Sequence, residues 1–204
     1  MILESRVIVR PAHLSLILQR LSEELLERHP GFHNTVLIGL QPRGVFFLNR
    51  LAQVLQARID VLSHEMDGSL EGHRLVSAQP GRLNMPAQGA LDVTFYRDDF
   101  RHRSEPLSAH ATQLPFSLEG KKVVLVDDVL FTGRTIRAGL DALLDFGRPD
   151  RVELMVLVSR RLRQEFPIHP DYCGMEVNTH DDERVRVCWD EPEGAHITLI
   201  KTTG

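Results

Sequence analysis

The stretch Lys121-Lys-Val-Val-Leu-Val-Asp-Asp-Val-Leu-Phe-Thr-Gly-Arg-Thr135 decides how this chain folds. Residues 122–126 read as a strand in which Val123 to Val126 are all apolar, the pattern of a strand buried on both faces. From 132 to 146, Ile136, Leu140, Leu143 and Leu144 fall on one helical face, which Gly147-Arg148-Pro149 ends. A strand feeding a helix in this way puts Asp127 and Asp128 at the carboxyl edge of a sheet, where open α/β sheets bind ligands. Thr132-Gly-Arg-Thr135 opens the helix, so its free N–H groups and dipole favour an anion. Gly133 admits close backbone approach, and the hydroxyls of Thr132 and Thr135 add donors. Two acids beside an anion cradle suit a ligand with a phosphate at one end and hydroxyls or a metal at the other. By residue type alone, the same string also reads as a helix cap and a Thr-Gly turn.

Upstream, residues 11–29 carry Leu14, Ile17, Leu18, Leu21 and Leu25 at helical spacing between Pro11 and Pro30-Gly31. Residues 35–40 (TVLIGL) read as a buried strand, Gln41-Pro-Arg-Gly44 as a loop, and 45–57 as a helix with Leu48, Leu51, Ala52 and Leu55 inward. Residues 58–62 read as a weaker strand. The periodicity fails over 63–90, where Gly68, Gly72, Pro80, Gly81, Pro86 and Gly89 predict a flexible surface insertion, with an oligomer contact as the second reading. A strand is expected over 91–96 and a polar loop over 97–115. Downstream, 151–158 is a further buried strand, with short strands at 172–174, 184–189 and 196–200. The alternation of strands and helices predicts an α/β fold, a mostly parallel central sheet flanked by helices, in a single domain over 1–204.

Composition narrows the field without naming a function. With 204 residues, 42% of them hydrophobic, the chain has material for one substantial core. The 25% charged content and net charge of −4 give no general bias toward nucleic acid. Cys173 and Cys188 stand outside any close Cys/His cluster, which argues against a cysteine zinc site and for reduced thiols. No apolar run approaches the roughly 20 residues that cross a bilayer, and the N-terminus lacks the order of a signal peptide. A soluble, cytoplasmic protein with no membrane partner is expected. His64, His73, His102, His110, His169, His180 and His196 show no metal-ligand spacing, and most are expected in solvent. Phe46, Phe47, Phe131, Phe146 and Trp189 are expected in the core or a pocket wall.

The order of an apolar strand, Asp127-Asp128 and then Thr132-Gly133 resembles the signature of type I phosphoribosyltransferases. Within that family, Asp-Asp-Val-Leu-Phe-Thr-Gly-Arg-Thr is most similar to the PyrR group, pyrimidine-operon regulators that also act as uracil phosphoribosyltransferases. Leu91-Asp-Val-Thr-Phe-Tyr-Arg-Asp-Asp-Phe100, Arg137-Ala-Gly-Leu-Asp-Ala-Leu and Leu157-Val-Ser-Arg160 extend the likeness, which covers most of 7–189. The resemblance implies a small C-terminal base-binding hood beside the sheet. It implies phosphoribosyl pyrophosphate and uracil as substrates and UMP as product, with Mg2+ bound mainly through the substrate and no protein metal ligand. Asp127 and Asp128 would face the ribose hydroxyls and stabilise oxocarbenium charge. Val129, Leu130, Phe131, Thr132, Gly133, Arg134 and Thr135 would wrap the 5′-phosphate. Arg43, with Pro42 and Gly44, would meet pyrophosphate, and Arg97 would help from a closing loop. Arg160 and the backbone near Val185 would form the base pocket, although Arg160 also reads as a surface residue of the Arg160-Arg161…Arg163 cluster. The same likeness implies a homo-oligomer, dimer or tetramer, and a second reading as a uridine-nucleotide-sensing attenuator that binds pyrimidine-operon leader RNA.

Two departures bear on those roles. Gln41-Pro42-Arg43-Gly44 stands where relatives usually show Lys-Thr-Arg-Gly, and Pro42 favours a cis Gln41–Pro42 bond. Ser159 stands where relatives usually have Asp, which keeps a purine base open as an alternative substrate.

Overall fold

The computed structural model describes residues 2–68, 83–98, 110–190 and 192–203. In chain order its elements are β1 (Ile2–Val9), α1 (Pro11–Arg28), β2 (Thr35–Leu40), α2 (Arg43–Gly68), β3 (Ala87–Leu91), β4 (Lys122–Leu130), α3 (Arg134–Leu144), β5 (Arg151–Arg160), β6 (Tyr172–Val177), β7 (Glu183–Cys188) and β8 (His196–Thr203). Five strands form a parallel sheet in the order β3-β2-β4-β5-β6. The other three form a small antiparallel sheet in the order β1-β8-β7.

Alternation along β4 shows why the central strand must be apolar on both faces. Val124 and Val126 enter one core with α1 and α2, where Leu21, Leu25, Phe47, Leu51 and Leu55 are buried. Val123 and Leu125 enter a second core with Ile136, Ala142 and Leu143 of α3. The helices therefore cover opposite faces, and the small sheet joins the first core through Val185, Val187, Trp189 and Ile197. Phe47 and Trp189 stack with ring centroids 6.2 Å apart, which ties the hood to the start of α2. Arg50 adds bonds to the Trp189 carbonyl at 3.4 Å and to Asp190 at 3.2 Å.

Several expected boundaries move. Residues 58–62 are helical, part of α2 rather than a strand. Phe47, Leu51, Leu55 and Ile59 recur every fourth residue and are all buried, so packing of one helical face overrides the strand-like local composition. Of the stretch 63–90, Ser63 to Gly68 continue α2 and Ala87 to Ala90 belong to β3, while the expected insertion over 69–82 falls outside the described residues. Only Leu91 of the strand expected at 91–96 is in β3, and Thr94–Tyr96 is a 3-10 turn. Strand β1 had no sequence signal. Its pairing with β8 means that the hood draws on both ends of the chain. Phe46, Phe131 and Phe146 are exposed, against expectation, whereas Phe47 and Trp189 are buried; His196 is buried as well. No helix among the described residues is long and apolar enough to cross a membrane.

At the amino edge of the sheet lies a buried polar network. His29 Nε2 stands 3.0 Å from Glu153 Oε2 and 2.9 Å from the Tyr172 hydroxyl, which donates to Glu153 at 2.7 Å. Thr35 Oγ1 meets His29 Nδ1 at 3.1 Å, and Arg151 reaches the other Glu153 oxygen at 2.9 Å. Each buried group thus has a partner, as burial demands.

Candidate active site

After β2 the chain moves outward to β3, then returns to place β4 on the other side of β2. That reversal is a topological switch point, and a crevice opens there past the carboxyl ends of the strands. The pairing of β2 with β4 ends at Gly39 opposite Val126, whereas β4 runs on beside β5 to Leu130. Asp127 and Asp128 therefore lie inside β4 rather than after it, one strand edge already released toward the crevice. Both are buried. The Asp128 N–H donates to Asp127 Oδ1 at 2.9 Å.

Burial, followed by the neighbouring Asp128 charge, holds the Asp127 carboxyl well above the ordinary range, and Arg43 and Arg97 pull it back only in part. Burial also raises Asp128, against the pull of Arg43. The Arg43 guanidinium stands 3.8 Å from Asp128 Oδ2, and that oxygen accepts no hydrogen bond among the described residues. A buried acceptor without a donor is costly in a closed protein and useful in a binding site.

The loop between β2 and α2 brings Arg43 there by close backbone packing. A Cβ on Gly44 would fall 2.2 Å from the Val126 carbonyl oxygen, so only glycine lets this turn lie against β4. The Gln41–Pro42 peptide is cis, as expected. The Gln41 side chain donates to the Ala111 carbonyl at 2.8 Å.

Phe131 to Gly133 form the turn into α3, with Gly133 in the left-handed region at φ 88°. The Thr132 carbonyl accepts from the N–H groups of Glu165 and Phe166 at 3.0 and 3.2 Å, and the Arg134 N–H donates to Thr132 Oγ1 at 3.4 Å. Arg97 donates to Thr135 Oγ1 at 2.8 Å. Since a guanidinium cannot accept, the Thr135 proton is directed elsewhere. The Arg134 side chain is committed to the surface: it donates to Asp98 at 2.5 Å and to Glu165 through both Nε, at 2.8 Å, and Nη2. Nothing in the local sequence announced Asp98 and Glu165 as its partners, because they sit far along the chain on either side.

Arg160 ends β5 and is buried, not part of a surface cluster. Its Nε donates to Thr179 Oγ1 at 2.7 Å and one Nη to the Glu183 carbonyl at 2.9 Å. The guanidinium lies 3.9 Å over the Phe131 ring. One side chain thus joins the sheet, the turn before α3 and the hood strand β7, two residues from Val185. Val185 itself is a core residue whose backbone pairs with Leu199.

The chain belongs to the phosphoribosyl transferase domain family, whose model matches residues 12–192. Within it, the chain groups with proteins named bifunctional PyrR. It is 40% identical over 183 residues to the one from Enterococcus faecalis OG1RF, covering 90% of this chain and 89% of that one. To the one from Geobacter sp. M21 it is 42% identical over 187 residues, 92% of each chain. Solved structures with the same fold include a hypoxanthine phosphoribosyltransferase from Staphylococcus aureus, with TM-score 0.59 at 16% identity, covering 88% of this chain and 80% of that chain. A hypoxanthine-guanine phosphoribosyltransferase from Bacillus anthracis has TM-score 0.58 at 12% identity, covering 88% and 86%. At such identities these structures speak for the fold.

Proposed function

We propose that the chain transfers the phosphoribosyl group of phosphoribosyl pyrophosphate to uracil, giving UMP and pyrophosphate. The observation that carries this reading is the buried pair Asp127 and Asp128 at the switch point, with Asp128 Oδ2 lacking a donor and Arg43 3.8 Å away. In the reaction the bond from C1′ to pyrophosphate breaks and the bond from C1′ to uracil N1 forms, with the N1 proton passing to solvent. The two carboxylates accept the ribose hydroxyls and stabilise the positive charge that develops on the ring. The N–H groups opening α3, with the Thr132 and Thr135 hydroxyls, hold the 5′-phosphate, and Val129 to Phe131 shape that side. Arg43, Pro42 and Gly44 receive pyrophosphate, and Arg97 adds positive charge beside it. Arg160 and the backbone at Val185 border the base.

Among the described residues no three or more His, Cys, Asp or Glu side chains gather around a cation position. The unpartnered Asp128 oxygen nonetheless fits a hydrated magnesium ion that arrives with the substrate, bound mainly by pyrophosphate, ribose oxygens and water. Magnesium would supply neutralisation of the leaving group.

The test is to offer the protein magnesium and phosphoribosyl pyrophosphate with uracil, hypoxanthine, adenine or orotate in turn. UMP as the sole nucleotide is the expected result. A nucleotide of another base only, or none, would overturn the uracil assignment. The relatives' designation as bifunctional supports a second role, uridine-nucleotide-dependent binding of pyrimidine-operon leader RNA. That role requires an affinity that falls steeply with salt. No binding at low salt with UMP present would remove it.

A further inference from the structure

Asp92 is a buried carboxylate that none of these roles uses. It follows β3, and its polar atoms meet both arms of the segment that carries Arg97. Oδ1 accepts from the Thr94 N–H at 2.8 Å and from the Thr94 hydroxyl at 2.5 Å. Oδ2 accepts from the His110 N–H at 2.5 Å, and the Asp92 N–H donates to Thr112 Oγ1 at 3.1 Å. Just before it, Ala90 and Gln113 exchange both backbone bonds, at 2.9 and 2.8 Å. Gln41, from the turn that carries Arg43, bonds the same returning arm at Ala111. Three pieces of chain are thereby joined at one junction.

From that junction the outgoing arm has little freedom. Thr94–Tyr96 forms its 3-10 turn, closed by the Tyr96 N–H on the Val93 carbonyl at 3.0 Å. The next side chains are fixed in succession on α3 and its C-cap: the Tyr96 hydroxyl donates to Asp145 just past the helix, Arg97 donates to Thr135, and Asp98 accepts from Arg134. Burial would raise the Asp92 carboxyl, but the bonds from the Thr94 hydroxyl, the Thr94 N–H and the His110 N–H outweigh it and hold it below the ordinary aspartate range.

We propose that Asp92 is a positioning residue for Arg97. By joining the two arms through opposite oxygens of one carboxylate, it sets where the outgoing arm leaves β3, and hence where the Arg97 guanidinium meets Thr135. An amide cannot substitute, because its NH₂ would oppose either the Thr94 or the His110 donor. The catalytic consequence rests on the phosphoribosyl-transfer reading; the positioning itself does not.

Asp92→Asn and Thr94→Val are each read in two ways. The NMR signal of the Arg97 guanidinium, assigned by its loss in Arg97→Lys, is expected to move to the position of solvent-exposed arginines, while the Arg160 signal stays. An unmoved Arg97 signal in both folded variants overturns the proposal. In a double-mutant cycle on UMP formation, Asp92→Asn is expected to lower kcat about tenfold alone and less than about twofold in the Arg97→Ala background. Equal losses in both backgrounds also overturn it. If Asp92→Asn does not fold, Thr94→Val keeps the carboxylate, removes one donor, and carries the same two readouts. A wild-type protein that makes no nucleotide, but whose Arg97 signal depends on Asp92, would sink the transfer reading and leave this proposal standing.

Discussion

The Arg43 guanidinium and the Asp128 carboxylate face each other at 3.8 Å across the switch point, an ionic contact too long to be a hydrogen bond. Asp128 Oδ2 thus keeps its acceptor capacity for a ligand. Asp128→Asn keeps the shape and removes the charge. It is expected to lower turnover at least about tenfold, some 1.4 kcal/mol of transition-state stabilisation. Its thermal stability should equal or exceed that of the wild type, since a buried charge is replaced by an amide. Steady-state kinetics and a melting curve check both halves, and unchanged turnover in the folded variant would refute the assigned role.

Burial and the Asp128 charge raise Asp127, so the folded chain holds this proton more tightly than the unfolded chain does. The associated stability is present below the ordinary aspartate value of 3.8 and is lost as pH rises from there through the raised value. Asp127→Asn should flatten that decline, which melting temperature against pH will read. In the same window kcat/KM should climb with pH, because the reaction needs the carboxylates ionised. An acid limb centred at the ordinary value would contradict the perturbation.

Arg160 holds Thr179, the Glu183 carbonyl and the Phe131 face with one planar group. Lysine offers a point charge and cannot keep those directions together. Arg160→Lys is expected to cost about 2 kcal/mol in denaturant unfolding through unsatisfied buried groups. It should raise the KM for the base while the affinity for phosphoribosyl pyrophosphate stays within about twofold. Equal losses for both substrates would place Arg160 outside the base pocket.

Glu153 lies at the edge of the sheet remote from the acids, bonded to Tyr172, His29 and Arg151. Burial works against its charge, yet the bonds from Tyr172 and His29 hold its carboxyl below the ordinary value of 4.5. Its stabilisation is present above that value and is lost as pH falls through the lowered one. Glu153→Gln should cost about 3 kcal/mol of stability and leave UMP formation in the folded protein unchanged. A large fall in turnover without a fall in stability would reveal a catalytic connection across the sheet.

Much of the site was legible because its parts are consecutive. Val123 to Val126 must be apolar on both faces, Asp127 and Asp128 follow directly, and Thr132 to Thr135 open a helix. Strand β2 and helix α1 were equally plain from their apolar spacing. Helix α2 outruns its local signal, because Arg58-Ile-Asp-Val-Leu62 has strand character and only the sheet beneath Phe47, Leu51, Leu55 and Ile59 decides for a helix. Strand β1 was missed because its reason to exist is β8, at the far end of the chain.

By itself the sequence determined the parallel sheet, the position of the paired acids and the helix that opens after them, since apolar period, adjacent charge and helix-opening residues act over a few positions. Only the tertiary structure decided which charges are spoken for. It consigned Arg134 to Asp98 and Glu165, buried Arg160 between Phe131 and β7, joined both ends of the chain in the hood, and gathered the Arg97 arm on Asp92. Those partners are distant in sequence, and a buried charge is settled by whichever donors or acceptors the fold happens to bring within hydrogen-bonding reach.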